Sequence, residues 1–190
     1  LMINKQKKII LNFKILRLLF IAPFLVSIPF FTSTEGAKAG LEFQWDQGSG
    51  FKRLKWHQKE NKRRFRNKIY FFLRPADRNN ELLKINLVLP KKFQTKLTAD
   101  DVSLCKVKIG GFETRTKCLK NIPADVEIKK ETSSIDIFPY NPVPSTKDSY
   151  AIVLKVFNPT KTGLYQFHSY GQFAGKTVST YLGSWTIVID

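Results

Sequence analysis

Residues 69–190 predict an all-β domain, on three observations. Short β-branched and aromatic runs are separated by turn residues throughout this stretch. No segment after residue 68 sustains a helical period, and strands at this spacing without intervening helices favour a sandwich over a parallel α/β sheet. Late in the chain, Thr162-Gly163-Leu164-Tyr165-Gln166-Phe167 places a Gly-x-Tyr at the entry of a strand. In immunoglobulin-like sandwiches a tyrosine there turns its hydroxyl back onto the preceding backbone and pins the corner. The expected fold is therefore an immunoglobulin-like antiparallel β-sandwich, with Gly163 and Tyr165 as its structural corner. An ordinary aromatic strand residue is the alternative reading of Tyr165.

The elements follow in order. Ile69–Arg74 is the first clear strand, closed by Pro75-Ala76-Asp77 and Asn79-Asn80. Leu82–Leu89 sets Leu83, Ile85, Leu87 and Leu89 on one face against Lys84 and Asn86, and Pro90 ends it. Val102–Ile109 alternates again before Gly110-Gly111. Val126–Lys129, Ser134–Phe138, Tyr150–Phe157, Leu164–Tyr170 and Trp185–Ile189 complete the set.

Upstream, the pattern is that of an N-terminal signal peptide, residues 1–39. Lys5, Lys7, Lys8, Lys14 and Arg17 precede the apolar run Leu18–Phe31, and Ala37-Lys38-Ala39 supplies small residues before a cut at Gly40. An uncleaved anchor is the competing reading. A bilayer-spanning helix needs about 20 apolar residues, whereas this run has fourteen and contains Pro23, Ser27 and Pro29. Cleavage leaves Gly40–Asp190, expected to hold no transmembrane segment and to be exported to periplasm, extracellular space or thylakoid lumen. The expected division is a leader at 1–39, a basic N-terminal segment at 40–68 and a β-sandwich at 69–190. The middle segment is either a connector or, in part, the first strand.

Export bears on the two cysteines, Cys105 and Cys118. In an oxidising compartment an even pair is more often a disulfide than reactive thiols. A four-residue turn at Gly110–Glu113 would set the two opposite each other across a hairpin. A two-residue Gly-Gly turn would offset them by two positions and require a bulge, and two buried free thiols are the remaining alternative.

At this point Lys68–Asp190 resembles the exported cyanobacterial proteins grouped as domain-of-unknown-function family twenty-eight-oh-eight. The matching pieces are Ile69-Tyr70-Phe71-Phe72-Leu73, Leu82–Leu89 and Ile137-Phe138-Pro139-Tyr140-Asn141-Pro142-Val143-Pro144, then Tyr150–Pro159. Gly163-Leu164-Tyr165-Gln166-Phe167 and Tyr181-Leu182-Gly183-Ser184-Trp185 follow. Leu54 matches the family's first strand. The resemblance implies a secreted or periplasmic β domain and brings no catalytic residues. A fainter likeness is to small periplasmic copper-carrying β domains, with His168 near a ligand position. Those sites use an N-terminal histidine or a Met and His set, and no methionine follows Met2. No metal or other cofactor is expected.

The charge is concentrated. The whole chain carries +17; removing the leader's six cations and one anion leaves +12. Lys52, Arg53, Lys55, Lys59, Lys62, Arg63, Arg64, Arg66 and Lys68, opposed only by Glu60, supply +8 of it. Phe51, Trp56 and Phe65 interleave with them. Such a stretch attracts polyanions with a strength that falls with salt. Anionic envelope polysaccharide or lipid headgroups are the expected partners; nucleic acid is seldom met by an exported protein. The bland reading is a solvated connector.

Catalytic signatures are missing: no phosphate loop, Gly-x-Ser-x-Gly elbow, His-Glu-x-x-His or Cys-x-x-Cys occurs. Asp100-Asp101 reads as a turn entering a strand, and His57 sits among cations that disfavour its protonation. No catalytic residue is assigned and the protein is not expected to be an enzyme. The expected function is a non-catalytic envelope or cell-surface binding module. The alternative is a structural envelope component docking on anionic polysaccharide or lipid through its basic segment; a periplasmic metal carrier or hydrolase ranks below both.

Overall fold

The structure, a computed structural model, describes residues 50–93 and 95–190. The expected leader and its cleavage site at Ala37, Ala39 and Gly40 lie outside the described residues. Among the described residues no helix is long and apolar enough to cross a membrane.

Ten strands make two five-stranded sheets. They are β1 (Trp56–Gln58), β2 (Arg66–Leu73), β3 (Leu82–Val88), β4 (Val102–Lys108), β5 (Lys117–Ile122), β6 (Ala124–Lys129), β7 (Ser134–Pro139), β8 (Tyr150–Phe157), β9 (Gly163–Phe173) and β10 (Thr180–Ile189). The first sheet runs β1-β2-β8-β4-β5 and the second β10-β9-β3-β7-β6; every named strand pair is antiparallel. This is the immunoglobulin-like sandwich that the short alternating runs require. A single residue, Pro123, carries the chain from β5 on one sheet to β6 on the other.

The inner faces meet on an aromatic centre. Phe71 packs against Phe167 and Trp185, each at 4.8 Å between centroids, and Phe93 meets Phe167 edge-on at 4.9 Å. Arg78 is buried at one end, lies 4.6 Å over the Tyr150 ring, and donates to the carbonyls of Pro144 and Asp148, tethering the segment before β8.

Three sequence expectations are corrected. First, the boundary at 68/69 falls inside β2, which pairs with β8 from Arg66↔Phe157 onward; of the two readings of the segment before it, the described residues follow the one in which part of it forms strand. Ser184 N–H donates to Lys52 O at 2.7 Å and Leu54 N–H to Ser184 O at 2.8 Å, so Arg53 bridges β10 in parallel. The chain then crosses to the other sheet, where β1 pairs with β2. Leu54, only 1% exposed, fills the core between these two attachments. Second, Leu83 does not share a face with Ile85 and Leu87. A register irregularity between Leu82 and Lys84 changes the phase, burying Leu82 and leaving Leu83 38% exposed. Third, β10 begins at Thr180 rather than Trp185 because Gly183 forms a bulge instead of a turn. Its φ is +141°, and a Cβ there would lie 2.6 Å from Leu54 Cγ and 2.7 Å from Lys52 O.

Candidate functional site

Strand alternation gives the first sheet two different faces. Ile69, Phe71 and Leu73 of β2 enter the main core, while Lys68, Tyr70, Phe72 and Arg74 point the other way. On that outer face Tyr70 and Phe72 join Ala151 and Val153 of β8 and Cys105 and Val107 of β4 in a second, smaller apolar cluster. Lys68 sits 5.1 Å over the Tyr70 ring, and His57, opposite Tyr70 in register, lies 6.0 Å from it.

Above this face is a groove of about 1050 Å³. Residues 53–59 form one wall, Ile109–Gly111 and Thr114–Thr116 of the β4–β5 hairpin the other, and Phe72 and Arg74 also line it. Its cations are Arg53, Lys55, Lys59, Arg74 and Arg115, and no Asp or Glu lines it. Arg74 is matched by Asp77, to which its guanidinium donates at 3.0 and 3.1 Å. Among the described residues, Arg53, Lys55, Lys59 and Arg115 have no such carboxylate partner. Burial first, and the Lys59 charge second, hold His57 below the ordinary histidine range, so it is a neutral hydrogen-bonding group at pH 7.

The nine cations singled out from sequence are thus dispersed. Arg53, Lys55 and Lys59 line the groove, and Lys68 lies on the same face. Arg66 starts β2 at the far end of that sheet. Lys62, Arg63 and Arg64 form the turn into β2, where the Arg63 and Arg64 amides bond to Asp190 O and to Asn158 O and Pro159 O. Lys52 is diverted to the Ala76 carbonyl and to Asp77, at 3.1 and 3.7 Å. Several groove residues, Phe72 and Arg115 among them, are not among those that sequence reasoning selects. Alternation of Phe72 with Phe71 is a signal for the one; Arg115, alone in a turn, carries none.

Cys105 and Cys118 form a disulfide with Cα atoms 5.7 Å apart. They are not opposite each other: Cys105 faces Asn121 and Cys118 faces Val107, with an irregularity between Lys106 and Val107. The four-residue turn is therefore replaced by a longer loop, and the bond runs diagonally between positions offset by two. Tyr165 Oη donates to Lys161 O at 2.7 Å, two residues before Gly163, whose φ is +140°.

The remaining polar groups are engaged structurally. His168 Nδ1 lies 2.7 Å from Ser184 Oγ, which is also 2.6 Å from Tyr181 Oη; Ser184 is fully buried, so its hydroxyl has no room to attack a substrate. Asp101 accepts from the Thr98 amide and hydroxyl and closes a turn. Among the described residues no three His, Cys, Asp or Glu side chains converge as a metal site would require.

The family model "Protein of unknown function (DUF2808)" matches residues 46–189. No curated protein matches the chain. Among solved structures it is similar to BslA, a bacterial hydrophobin, at 11% identity and TM-score 0.45, covering 73% of this chain and 97% of that one. It is also similar to the collagen-binding domain of a Staphylococcus aureus adhesin, at 13% identity and TM-score 0.36, covering 65% and 87%. A third is ACE19, the collagen-binding subdomain of the Enterococcus faecalis surface protein ACE, at 7% identity and TM-score 0.39, covering 70% and 95%.

Proposed function

Because the chain belongs to the DUF2808 family of proteins of unknown function, its role must be read from its own surface, and we propose a non-catalytic binding module for acidic envelope polysaccharide. The observation that carries this is the groove over Phe72, where four cations without carboxylate partners face one another across an apolar floor. Cations left unmatched on both walls of a concave site favour a chain bearing repeated carboxylate or sulfate groups. A flat bilayer does not enter such a groove. Half-buried Ile109, packed on the cluster that holds Phe72, and neutral His57 supply an apolar surface and a hydrogen bond for the sugar between charges. The disulfide supports an exported location, since such bonds persist in oxidising compartments. No Asp or Glu lines the groove, and among the described residues no three His, Cys, Asp or Glu side chains gather as a metal site would require.

The test is titration of the chain with alginate or dextran sulfate at two salt concentrations. Lys55→Glu with Lys59→Glu should weaken binding by roughly tenfold or more, and added salt should weaken the parent. Arg63→Glu with Arg64→Glu, in the turn before β2, should leave it nearly unchanged. The reverse pattern would replace this reading with docking through that turn, where Phe65 and Phe157 are also exposed.

A further inference from the structure

We propose that the tip of the β4–β5 hairpin docks on anionic lipid bilayers, with Phe112 entering the headgroup layer. Phe112 is exposed over its whole surface (109%), and it is not among the residues lining the groove. A large apolar side chain presented in this way is costly in water and gains by transfer into an interface.

The loop around it is held in shape. Gly111 N–H donates to Thr114 O and Gly110 N–H to Thr116 Oγ1, each at 3.0 Å. A Cβ at Gly110 would lie 2.5 Å from Thr116 N, so the loop closes tightly on itself at that residue. The disulfide joins β4 to β5 close below the loop. A pre-shaped tip loses little freedom on docking.

The charge beside the tip selects the partner. Lys108, Arg115 and Lys117 flank it, exposed and without carboxylate partners among the described residues, and Glu113 is the loop's single acid. An aromatic tip within a basic collar matches the layered chemistry of an anionic membrane surface, apolar below and negative above. This surface shares Arg115 with the groove but otherwise uses different side chains, and Lys55, Lys59, Lys108, Lys117 and Phe112, each belonging to one surface only, separate the two readings.

The experiment uses the full chain and vesicles of phosphatidylcholine with or without about a third phosphatidylglycerol. Phe112→Trp should give a new emission, beyond that of the parent's tryptophans, that shifts to the blue on the anionic vesicles and is quenched by lipids brominated near the headgroup. Phe112→Ser, and separately Lys108→Glu with Lys117→Glu, should lower vesicle affinity roughly tenfold or more. Lys55→Glu with Lys59→Glu should leave the emission shift intact even where it abolishes polysaccharide binding. The proposal is overturned if the emission added by Phe112→Trp ignores anionic vesicles. It is equally overturned if Phe112→Ser binds as the parent does, or if the exposed tip proves to be covered by a second copy of the chain in solution.

Discussion

Trp185 donates its indole N–H to the Lys55 carbonyl at 3.1 Å and to the Phe72 carbonyl at 3.3 Å. A fully buried side chain of β10 on the second sheet thereby holds the backbone of the groove wall against β2 on the first. Trp185→Phe keeps a ring against Phe71 but removes the donor and leaves part of the cavity unfilled. It should cost about 1–3 kcal/mol from the orphaned Phe72 carbonyl, read as a lower urea midpoint, while the Lys55 carbonyl keeps the Phe72 N–H as its donor at 3.1 Å. Polysaccharide affinity should fall modestly with it, because the wall at Lys55 loses its tie to β10 and keeps only the one to the Phe72 amide. An unchanged midpoint would mean that the Phe72 carbonyl finds another partner.

The diagonal disulfide ties the base of the hairpin that supplies the groove's second wall. Its partners are separated by 13 residues, and on the chain-entropy account closing a loop of that size stabilises by about 3 kcal/mol. Replacing both cysteines by alanine should lower the unfolding free energy by about that amount. The parent in reductant should behave the same way, whereas reductant should not affect the double variant. Equal stability of the two oxidised chains would show that the bond only follows a hairpin already closed by its own ladder.

Strand alternation makes the fold and half of the candidate site legible without coordinates. Leu87 and Ile85 against Lys84 and Asn86, or Phe71 against Phe72, state which side is wet through a period of two. What the sequence hides is register. Leu82 replaces Leu83 in the core because of one irregularity, and Cys118 faces Val107 because of another. Neither leaves a mark in composition. The basic segment is visible as a run of charge, but its division between groove, turn and Asp77 depends on where residues 52–58 cross between sheets. Leu54, one apolar residue between Arg53 and Lys55, is the only local sign of that crossing. Arg115 enters the groove through loop shape alone.

On the opposite face of the molecule, Asp136 is nearly fully buried and accepts from Lys129 at 2.7 Å, Asn86 at 2.6 Å and Lys84 at 2.9 Å. Burial pushes the carboxyl upward, but these three partners overcome it and hold it at about 2, below its ordinary 3.8. A carboxyl depressed in the folded state stabilises above its unfolded pKa, and that stability drains away as pH falls through the folded value. Asp136→Asn should therefore cost about 2 kcal/mol near neutrality. Parent and variant should converge between about pH 4 and pH 2. Denaturant titrations at several pH values give the comparison, and a constant gap down to pH 2 would contradict it.

The Tyr165 hydroxyl is buried and its one acceptor is Lys161 O. Tyr165→Phe keeps the edge-on contact with Phe93, whose ring lies 5.6 Å away, and deletes only the bond across the corner. The expected loss is about 1 kcal/mol by thermal or chemical unfolding. A silent variant would leave Gly163, not the hydroxyl, as what shapes the entry to β9.

His57 gives the groove a pH dependence of its own. In the free protein, burial and Lys59 keep it below the ordinary histidine value, so near neutrality it adds no charge to the four cations around it. A bound polyanion supplies the opposite charge and should raise that pKa, which by linkage means that binding takes up a proton. The protonated form then binds more tightly. The gain should be complete below the free pKa and absent above the pKa of the complex. Affinity for dextran sulfate, whose charge is constant over this range, should rise as pH falls from 7 to 5, by at most about tenfold per unit of pH. His57→Asn should flatten the profile without lowering affinity at pH 7, whereas a loss of charge at Lys59 should lower it throughout. A flat profile in the parent would place the polymer away from His57, and with it away from the wall formed by residues 53–59.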